Sequence, residues 1–171
     1  MPAEQFYNEI RTNAFERLKS LDPILTYHCY DHTIDVLEQC VRIADVEGVS
    51  DQNQIFLLKV AALYHDTGFL HTYRNHEAAS CEIFLAETAQ FQFTEAEKET
   101  VRRLIMVTQI PQQPKDLLEK IICDADLDYL GREDFPPISN NLKKEFLEYG
   151  VIKNEAAWDP LQIGFLEKHQ Y

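Results

Sequence analysis

A histidine and an aspartate follow one of the most apolar runs in the sequence. The run IFLLKVAALY, residues 55–64, predicts a buried helix, and His65 and Asp66 come directly after it. A buried charge without a partner is costly, so Asp66 needs a cation or several hydrogen-bond donors nearby, or it must turn into solvent. We therefore expect its partner to come from another part of the chain.

Two further polar sites lie at the edges of predicted helices. His28 and His32, in YHCYDHTIDV, are four residues apart and would share one face of a helix. Taken alone, such a pair more often serves packing or capping than chemistry. Asp126, in ICDADLDYLG, follows Leu118 and Ile122 at helical spacing and so borders the buried stripe. It could also be a solvated edge residue or a partner for Arg or Lys.

These sites form a consistent set of metal ligands when they are considered together. Two imidazoles and two carboxylates would come from three helices: His32, His65, Asp66 and Asp126. We predict that they hold one divalent ion, with Mn²⁺, Fe²⁺, Co²⁺, Ni²⁺, Zn²⁺ and Mg²⁺ as candidates. Such an ion lowers the pKa of a bound water and makes hydroxide available near neutral pH. It would also compensate the charge of Asp66.

Other metal and phosphate motifs fail by residue type. DADLDYLGREDF begins like an EF-hand loop, but it has Tyr129 at the position of the turn glycine and Phe135 at that of the bidentate glutamate. HEAAS begins like HExxH, but Ser80 replaces the second histidine. The sequence contains no glycine-rich phosphate loop, no G-x-S-x-G elbow and no zinc spacing among its cysteines.

Periodicity predicts helices along the whole chain. Segments at helical spacing cover residues 3–20, 27–47, 51–66, 76–90, 94–108, a stretch ending near 130, 138–149 and 154–168. Ser50 is a candidate cap for the third helix, and Thr94 with Glu97 forms a capping-box pattern. Strand signals are weak. We predict an all-α helical bundle in a single domain, 1–171, whose motifs lie in about 25–132 and whose C-terminal helices, 138–168, pack on that region.

The composition narrows the class of protein. The 171 residues carry a formal net charge of −13, which argues against broad binding to DNA or to an anionic membrane. The N-terminal segment lacks the apolar region of a secretory signal. The cysteines, at positions 29, 40, 81 and 123, each fall in a predicted helix and show no CxxC pairing. We therefore expect reduced thiols in a cytoplasmic protein.

The order of the motifs resembles that of the HD superfamily of metal-dependent phosphohydrolases. A histidine, a His-Asp pair and a distant helical aspartate define that superfamily, and here they are His32, His65-Asp66 and Asp126. YHCYDHTIDV also resembles the YHxxxH segment of cyclic nucleotide phosphodiesterases. HDTGF…NHEAAS and DADLDYLGREDF resemble a bacterial subgroup described only as predicted HD hydrolases.

The resemblance implies both a reaction and roles for residues. The substrate would be a phosphate ester, a nucleotide or a related small molecule, cleaved by hydroxide from water bound to the metal. His32 would be a metal ligand, and His28 would protonate the leaving oxygen, so that His28 and Asp66 are the catalytic candidates. His76 and Arg74 are candidates for binding phosphate or a second metal ion.

Some departures from the family pattern leave alternatives open. Three places after the HD aspartate, some HD nucleotidases and alarmone hydrolases carry an acidic residue and the cyclic dinucleotide branch carries lysine, whereas this chain has Phe69. Two-metal members and di-iron oxygenases use two more histidines between the HD pair and the last aspartate. This chain has His71 and His76 in that interval but no histidine in 94–125, which argues against a second metal ion. The rival functions are a di-iron oxygenase and a metal-binding regulatory module without turnover. Asp124 and Asp128 are as well explained by solubility, and a monomer and a homodimer both remain open.

Overall fold

The computed structural model describes residues 2–169, with side chains from residue 6 onwards, and it confirms the all-α prediction. Its α-helices are α1 (Pro2–Leu18), α2 (Tyr30–Val46), α3 (Gln52–Tyr64), α4 (His76–Glu87), α5 (Glu95–Met106), α6 (Leu117–Asp126), α7 (Phe135–Glu148) and α8 (Trp158–Lys168). Short 3-10 helices occupy Thr67–Leu70, Asp128–Gly131 and Glu155–Ala157. Within residues 2–169 there is no strand, and no helix there is long and apolar enough to cross a membrane.

Helix α3 forms the centre of the core. Its residues from Phe56 to Tyr64, except Lys59, are buried, and it contacts α1, α2, α4, α5 and α6. A helix that is apolar around its whole circumference must be surrounded by other elements, and the sequence IFLLKVAALY meets that condition. Because α3 ends at Tyr64, the next two residues, His65 and Asp66, are delivered into the interior.

Two helix starts test the capping predictions. The Thr94 side chain accepts from the Glu97 backbone N–H, and the Glu97 carboxylate accepts from the backbone N–H of Thr94, so the predicted capping box is confirmed. The prediction for Ser50 was wrong. Asp51 caps α3 instead, because its carboxylate accepts from the backbone N–H groups of Asn53 and Gln54.

The start of α2 also differs from the prediction. The helix begins at Tyr30, and Cys29 before it has an extended backbone (φ −122°, ψ −179°), so neither His28 nor Cys29 lies inside a helix. The cause is a tertiary contact that periodicity does not report. The Glu145 carboxylate of α7 accepts hydrogen bonds from the backbone N–H groups of Tyr27 and His28, at 2.9 and 3.1 Å. These bonds fix the segment outside the helix. All four cysteines are free thiols, as expected.

The segment after α6 also leaves the predicted helix early. The α-helix ends at Asp126, four residues before the predicted end near 130, and the chain continues through the 3-10 helix at Asp128–Gly131. This change of geometry turns Tyr129 inward, where it joins Tyr27 and Leu127 in a second apolar cluster. Side chains of the last two helices, among them Leu142 and Phe165, pack against that cluster.

A single glycine allows the turn after the HD pair to approach α4. A Cβ at Gly68 would lie 1.9 Å from the backbone oxygen of His76 and 2.8 Å from the backbone nitrogen of Ser80. The Ser80 hydroxyl accepts from the Gly68 N–H at 2.8 Å and donates to the carbonyl of His65 at 2.6 Å. The turn that carries His65 and Asp66 is therefore locked against the first turns of α4.

The close approach predicts the effect of one methyl group. Gly68→Ala should lower the free energy of unfolding by roughly 1–3 kcal/mol, because backbone atoms cannot yield as a flexible side chain does. Gly164→Ala is the matched control, since a Cβ there meets nothing within 4 Å, and in the middle of α8 it should stabilise by roughly 0.5–1 kcal/mol. Urea unfolding measures both variants, and equal stabilities would contradict the packing described here.

Candidate metal centre

Three helices position the four side chains that were selected from the sequence. His32 lies in the first turn of α2, His65 and Asp66 follow the end of α3, and Asp126 is the last residue of α6. Helix α2 packs against both α3 and α6, so the three positions face one another. The side chains are almost fully buried, with 7% of His32, 1% of His65 and 4% of Asp66 exposed.

The structure brings the side-chain donors of all four residues together. His32 Nε2 lies 3.2 Å from Asp126 Oδ1 and 3.5 Å from Asp66 Oδ2. His65 Nε2 lies 3.3 Å from the same oxygen of Asp66 and 3.7 Å from Asp126 Oδ1. One ligand atom from each of His32, His65 and Asp66 lies within 4.8 Å of the others. Two imidazoles and two carboxylates thus converge on one point.

Two buried atoms at that point fit a bound cation. His65 Nε2 and Asp66 Oδ2 have no hydrogen-bond partner among the described residues. A buried polar group without a partner lowers stability by about 1–3 kcal/mol. A divalent ion would remove this cost by binding one lone pair of each of the two atoms. The tautomer of His65 agrees with this role, because its Nδ1 donates to the carbonyl of Ala62 at 2.9 Å and leaves Nε2 unprotonated in the neutral ring.

A second hydrogen bond orients the carboxylate from α6. Gln112 Nε2 donates to Asp126 Oδ2 at 3.2 Å, which leaves Oδ1 turned towards the two histidines. Such contacts behind the ligands restrict their rotation, and their loss typically weakens metal binding about 10–100-fold. Gln112 lies in an irregular loop between α5 and α6, so no periodic pattern in the sequence indicated it.

The electrostatics of the cluster favour ionised carboxylates. Burial raises the pKa of Asp66, but the neighbouring His65 and His76 outweigh it and hold that pKa well below its ordinary value. Burial likewise raises the pKa of Asp126, and the neighbouring His32 and His65 bring it down to about 2. Both side chains are therefore present as anions, the form in which a carboxylate binds a metal.

His28 reaches the same region with a buried carboxylate behind it. Its Nδ1 is hydrogen-bonded to Oε1 of Glu145, a fully buried residue of α7 that also accepts from the Tyr73 hydroxyl at 2.9 Å. Burial lowers the pKa of His28, but Glu145 and Asp66 outweigh it and raise that pKa above its ordinary value. Burial raises the pKa of Glu145, and its bonds to His28 lower it overall. The sequence analysis did not identify Glu145, which belongs to no motif.

His76 lies on the other side of Asp66. Its Nε2 is 3.4 Å from Asp66 Oδ1 and 3.6 Å from Oε1 of the buried Glu77, and its ring stacks on Phe69 at 3.8 Å between centroids. The His28 ring also stacks on Phe69, at 4.4 Å. Phe69 therefore supports two imidazoles of the site.

The structure leaves the remaining candidates away from this cluster. Arg74 is exposed and is not among the described residues that line the adjoining cavity. Asp128 forms ion pairs with Arg42 at 2.6 Å and with Arg132 at 3.4 Å. Asp124 is half-buried on α6 and is likewise not among the lining residues. Among the described residues, Asp124 and Asp128 form no hydrogen bond or ion pair with the cluster, and a role of Arg74 in binding phosphate stays a prediction.

A cavity of about 280 Å³ opens directly onto the cluster. Its polar end is formed by His28, Asp66, His76 and Asp126. Its other end is formed largely by apolar side chains of α7 and α8: Leu142, Phe146, Trp158, Leu161 and Phe165. A small molecule could therefore lie with one group at the buried carboxylates and the rest of its body against the C-terminal helices.

Comparison with known proteins gives one match. The HD domain family matches residues 29–128, which is more than half of the chain and includes His32, His65, Asp66 and Asp126. The chain belongs to the HD domain family. No curated protein and no solved structure matches it. Metal-dependent phosphohydrolases form the superfamily to which this family points, and the resemblance to the YHxxxH subgroup stays a prediction.

The side chains that converge in this HD protein predict that the Asp126 carboxylate helps to retain the metal ion. Asp126→Asn should weaken binding of a divalent ion at least about tenfold, because it removes a negative charge that faces both imidazoles. Asp124→Asn is the matched control on the same helix and should keep the affinity unchanged. Metal bound per chain after dialysis, measured by plasma mass spectrometry, compares the two variants. Equal metal content in the two would exclude Asp126 as a ligand.

Proposed function

We propose that this protein is a metal-dependent phosphohydrolase that cleaves a small phosphate ester. The observation that carries the proposal is a pair of neighbouring buried atoms without hydrogen-bond partners, His65 Nε2 and Asp66 Oδ2. Asp66 lines a cavity together with His28, an imidazole that a buried carboxylate orients. Membership of the HD domain family supports the same reaction class. The sequence resemblance implies a nucleotide or a related small molecule as substrate.

The cluster residues would hold one divalent ion, with His32, His65, Asp66 and Asp126 as its ligands. When bound, such an ion supplies Lewis-acid activation of water and polarises a phosphoryl oxygen. The protein keeps Asp66 anionic by placing imidazoles on both of its oxygens. Burial of the cluster lowers the local dielectric, which would strengthen the attraction between the bound ion and a phosphate group.

His28 would act as the general acid at the leaving oxygen. Its Nδ1 is engaged by Glu145, so Nε2 is the nitrogen that can donate a proton to a substrate in the cavity. The Glu145 carboxylate favours the protonated ring and also fixes the backbone that carries it. Glu145 is therefore a positioning residue, because it acts on the substrate only through His28.

A screen separates this function from its two rivals. The purified protein is supplied with each candidate metal in turn and assayed against a panel of nucleotides and other phosphate esters. Release of phosphate or of the alcohol supports the proposal. Two irons per chain together with oxygen consumption would instead identify an oxygenase. Bound metal without turnover of any ester would identify a regulatory module.

His28→Ala should slow the hydrolysis of an ester with a poor leaving group by about 10²–10⁴-fold while metal stays bound, because general acid catalysis is typically worth that factor. The loss should be smaller with p-nitrophenyl phosphate, whose leaving group needs little protonation. Steady-state kinetics on both substrates and metal analysis of the variant measure these effects. Equal losses on the two substrates, or metal loss like that of His32→Ala, would make His28 a ligand or a structural residue.

Glu145→Gln should produce a weaker form of the same defect, at least about tenfold on the poor leaving group. It removes the negative charge that favours the protonated His28 ring, and its single amide oxygen replaces two carboxylate oxygens that both accept hydrogen bonds. Added to His28→Ala it should cost little more, since both changes disable one unit. Glu148→Gln, on the exposed face of α7, is the control. Additive losses in the double variant would show that Glu145 acts independently of His28.

A further inference from the structure

The cavity at the candidate metal centre differs sharply between its two ends. The lining at Asp66 and Asp126 is anionic, whereas the lining contributed by α7 and α8 is formed by aromatic and aliphatic side chains such as Phe146, Trp158 and Phe165, which we call the apolar end. Trp158 is buried, with 6% of its surface exposed. A molecule that fills the cavity must therefore match a charged group at one end and an apolar body at the other.

The charge of the lining limits the number of phosphates. None of the described residues that line the cavity is Lys or Arg. One phosphate group would be matched by the ion, by His28 and by His76, but the further phosphates of a nucleoside triphosphate would meet Asp66, Asp126 and Glu77 without a Lys or Arg side chain. The lining thus favours a single phosphate.

The lining offers few uncharged polar side chains, and donors of two of them are already engaged. Gln162 Nε2 donates to the Ser139 hydroxyl at 2.6 Å, and the Thr108 hydroxyl donates to the carbonyl of Ile105 at 2.8 Å. A nucleobase has donors and acceptors around its ring, and it would lose its hydrogen bonds with water here without full replacement. An aromatic group without polar edges loses nothing of this kind and can stack on aromatic side chains.

The size of the cavity sets the size of that group. A protein cavity of about 150 Å³ accommodates benzene, and this cavity holds about 280 Å³. We infer that the cavity selects phosphate monoesters of apolar aromatic alcohols, of one or two fused rings, over nucleotides. The inference rests on the proposed phosphohydrolase function, since it assigns the substrate class of that site.

Binding of non-hydrolysable probes tests the selectivity without turnover. Calorimetry with Mn²⁺-loaded protein compares 1-naphthylmethylphosphonate with methylphosphonate, AMP and ATP. We expect the naphthyl probe to bind at least about tenfold more tightly than each of the others, a factor within reach of an apolar pocket. AMP or ATP binding as tightly as the naphthyl probe would overturn the inference.

A pair of substitutions on α8 localises the effect. Leu161 lines the cavity with 43% of its surface exposed, whereas Ile163 is 55% exposed and is not among the lining residues, so both positions tolerate a polar side chain. Leu161→Gln should weaken the naphthyl probe roughly tenfold and leave methylphosphonate unchanged, while Ile163→Gln should alter neither. Equal affinities of the naphthyl probe for both variants would overturn the assignment of the apolar end.

Turnover by the unaltered protein distinguishes this inference from the function on which it rests. Faster hydrolysis of 1-naphthylmethyl phosphate than of AMP, as kcat/KM, supports both, because each ester releases a primary alcohol and the two therefore need similar leaving-group protonation. Hydrolysis of AMP or ATP in preference to the naphthyl ester overturns the inference and leaves the phosphohydrolase intact. Selective binding of the naphthyl probe without hydrolysis of any ester supports the cavity assignment and overturns the proposed function.

Discussion

The carboxylate of Asp66 is buried at the junction of four helices, and the surrounding structure is arranged to compensate its charge. His65 and His32 face one of its oxygens and His76 faces the other, so α2, α3 and α4 each contribute an imidazole. Gly68 and Ser80 hold the turn in which it lies, and Asp126 completes the cluster from α6. An unpaired buried anion would be among the costliest defects a domain of this size could carry, which explains why so many elements meet there.

The parts of this arrangement that follow from local periodicity were predictable. The apolar run of α3 places His65 and Asp66 in the interior whatever surrounds them, and the stripe through Leu118 and Ile122 carries Asp126 to its inner edge. A residue type that is expensive to bury, placed at the end of a buried helix, is itself a signal of a partner. The all-α fold and the membership of the HD domain family followed from the same patterns.

The parts set by tertiary contacts were not predictable in this way. His28 appeared to belong to α2, but Glu145, 117 positions along the chain, holds its backbone outside the helix. In the sequence, Phe69 indicated only that a charged residue is absent from its position. In the structure, its ring supports the rings of His28 and His76. Asp51 caps α3 instead of Ser50, although either side chain is of a type that can accept from the first backbone N–H groups of a helix. No spacing rule encodes such contacts, because their partners are distant in sequence or depend on one rotamer.

The pair formed by His28 and Glu145 has a consequence for how such a protein diverges. The family match covers residues 29–128, so it contains every residue of the ligand cluster but neither member of this pair. The segment that orients the imidazole, α7, also contributes Leu142 and Phe146 to the cavity. Under the proposed function, mutations in α7 would alter proton delivery by His28 and substrate fit together while leaving the four candidate metal ligands unchanged. One peripheral helix could then change the substrate without changing the ligand cluster.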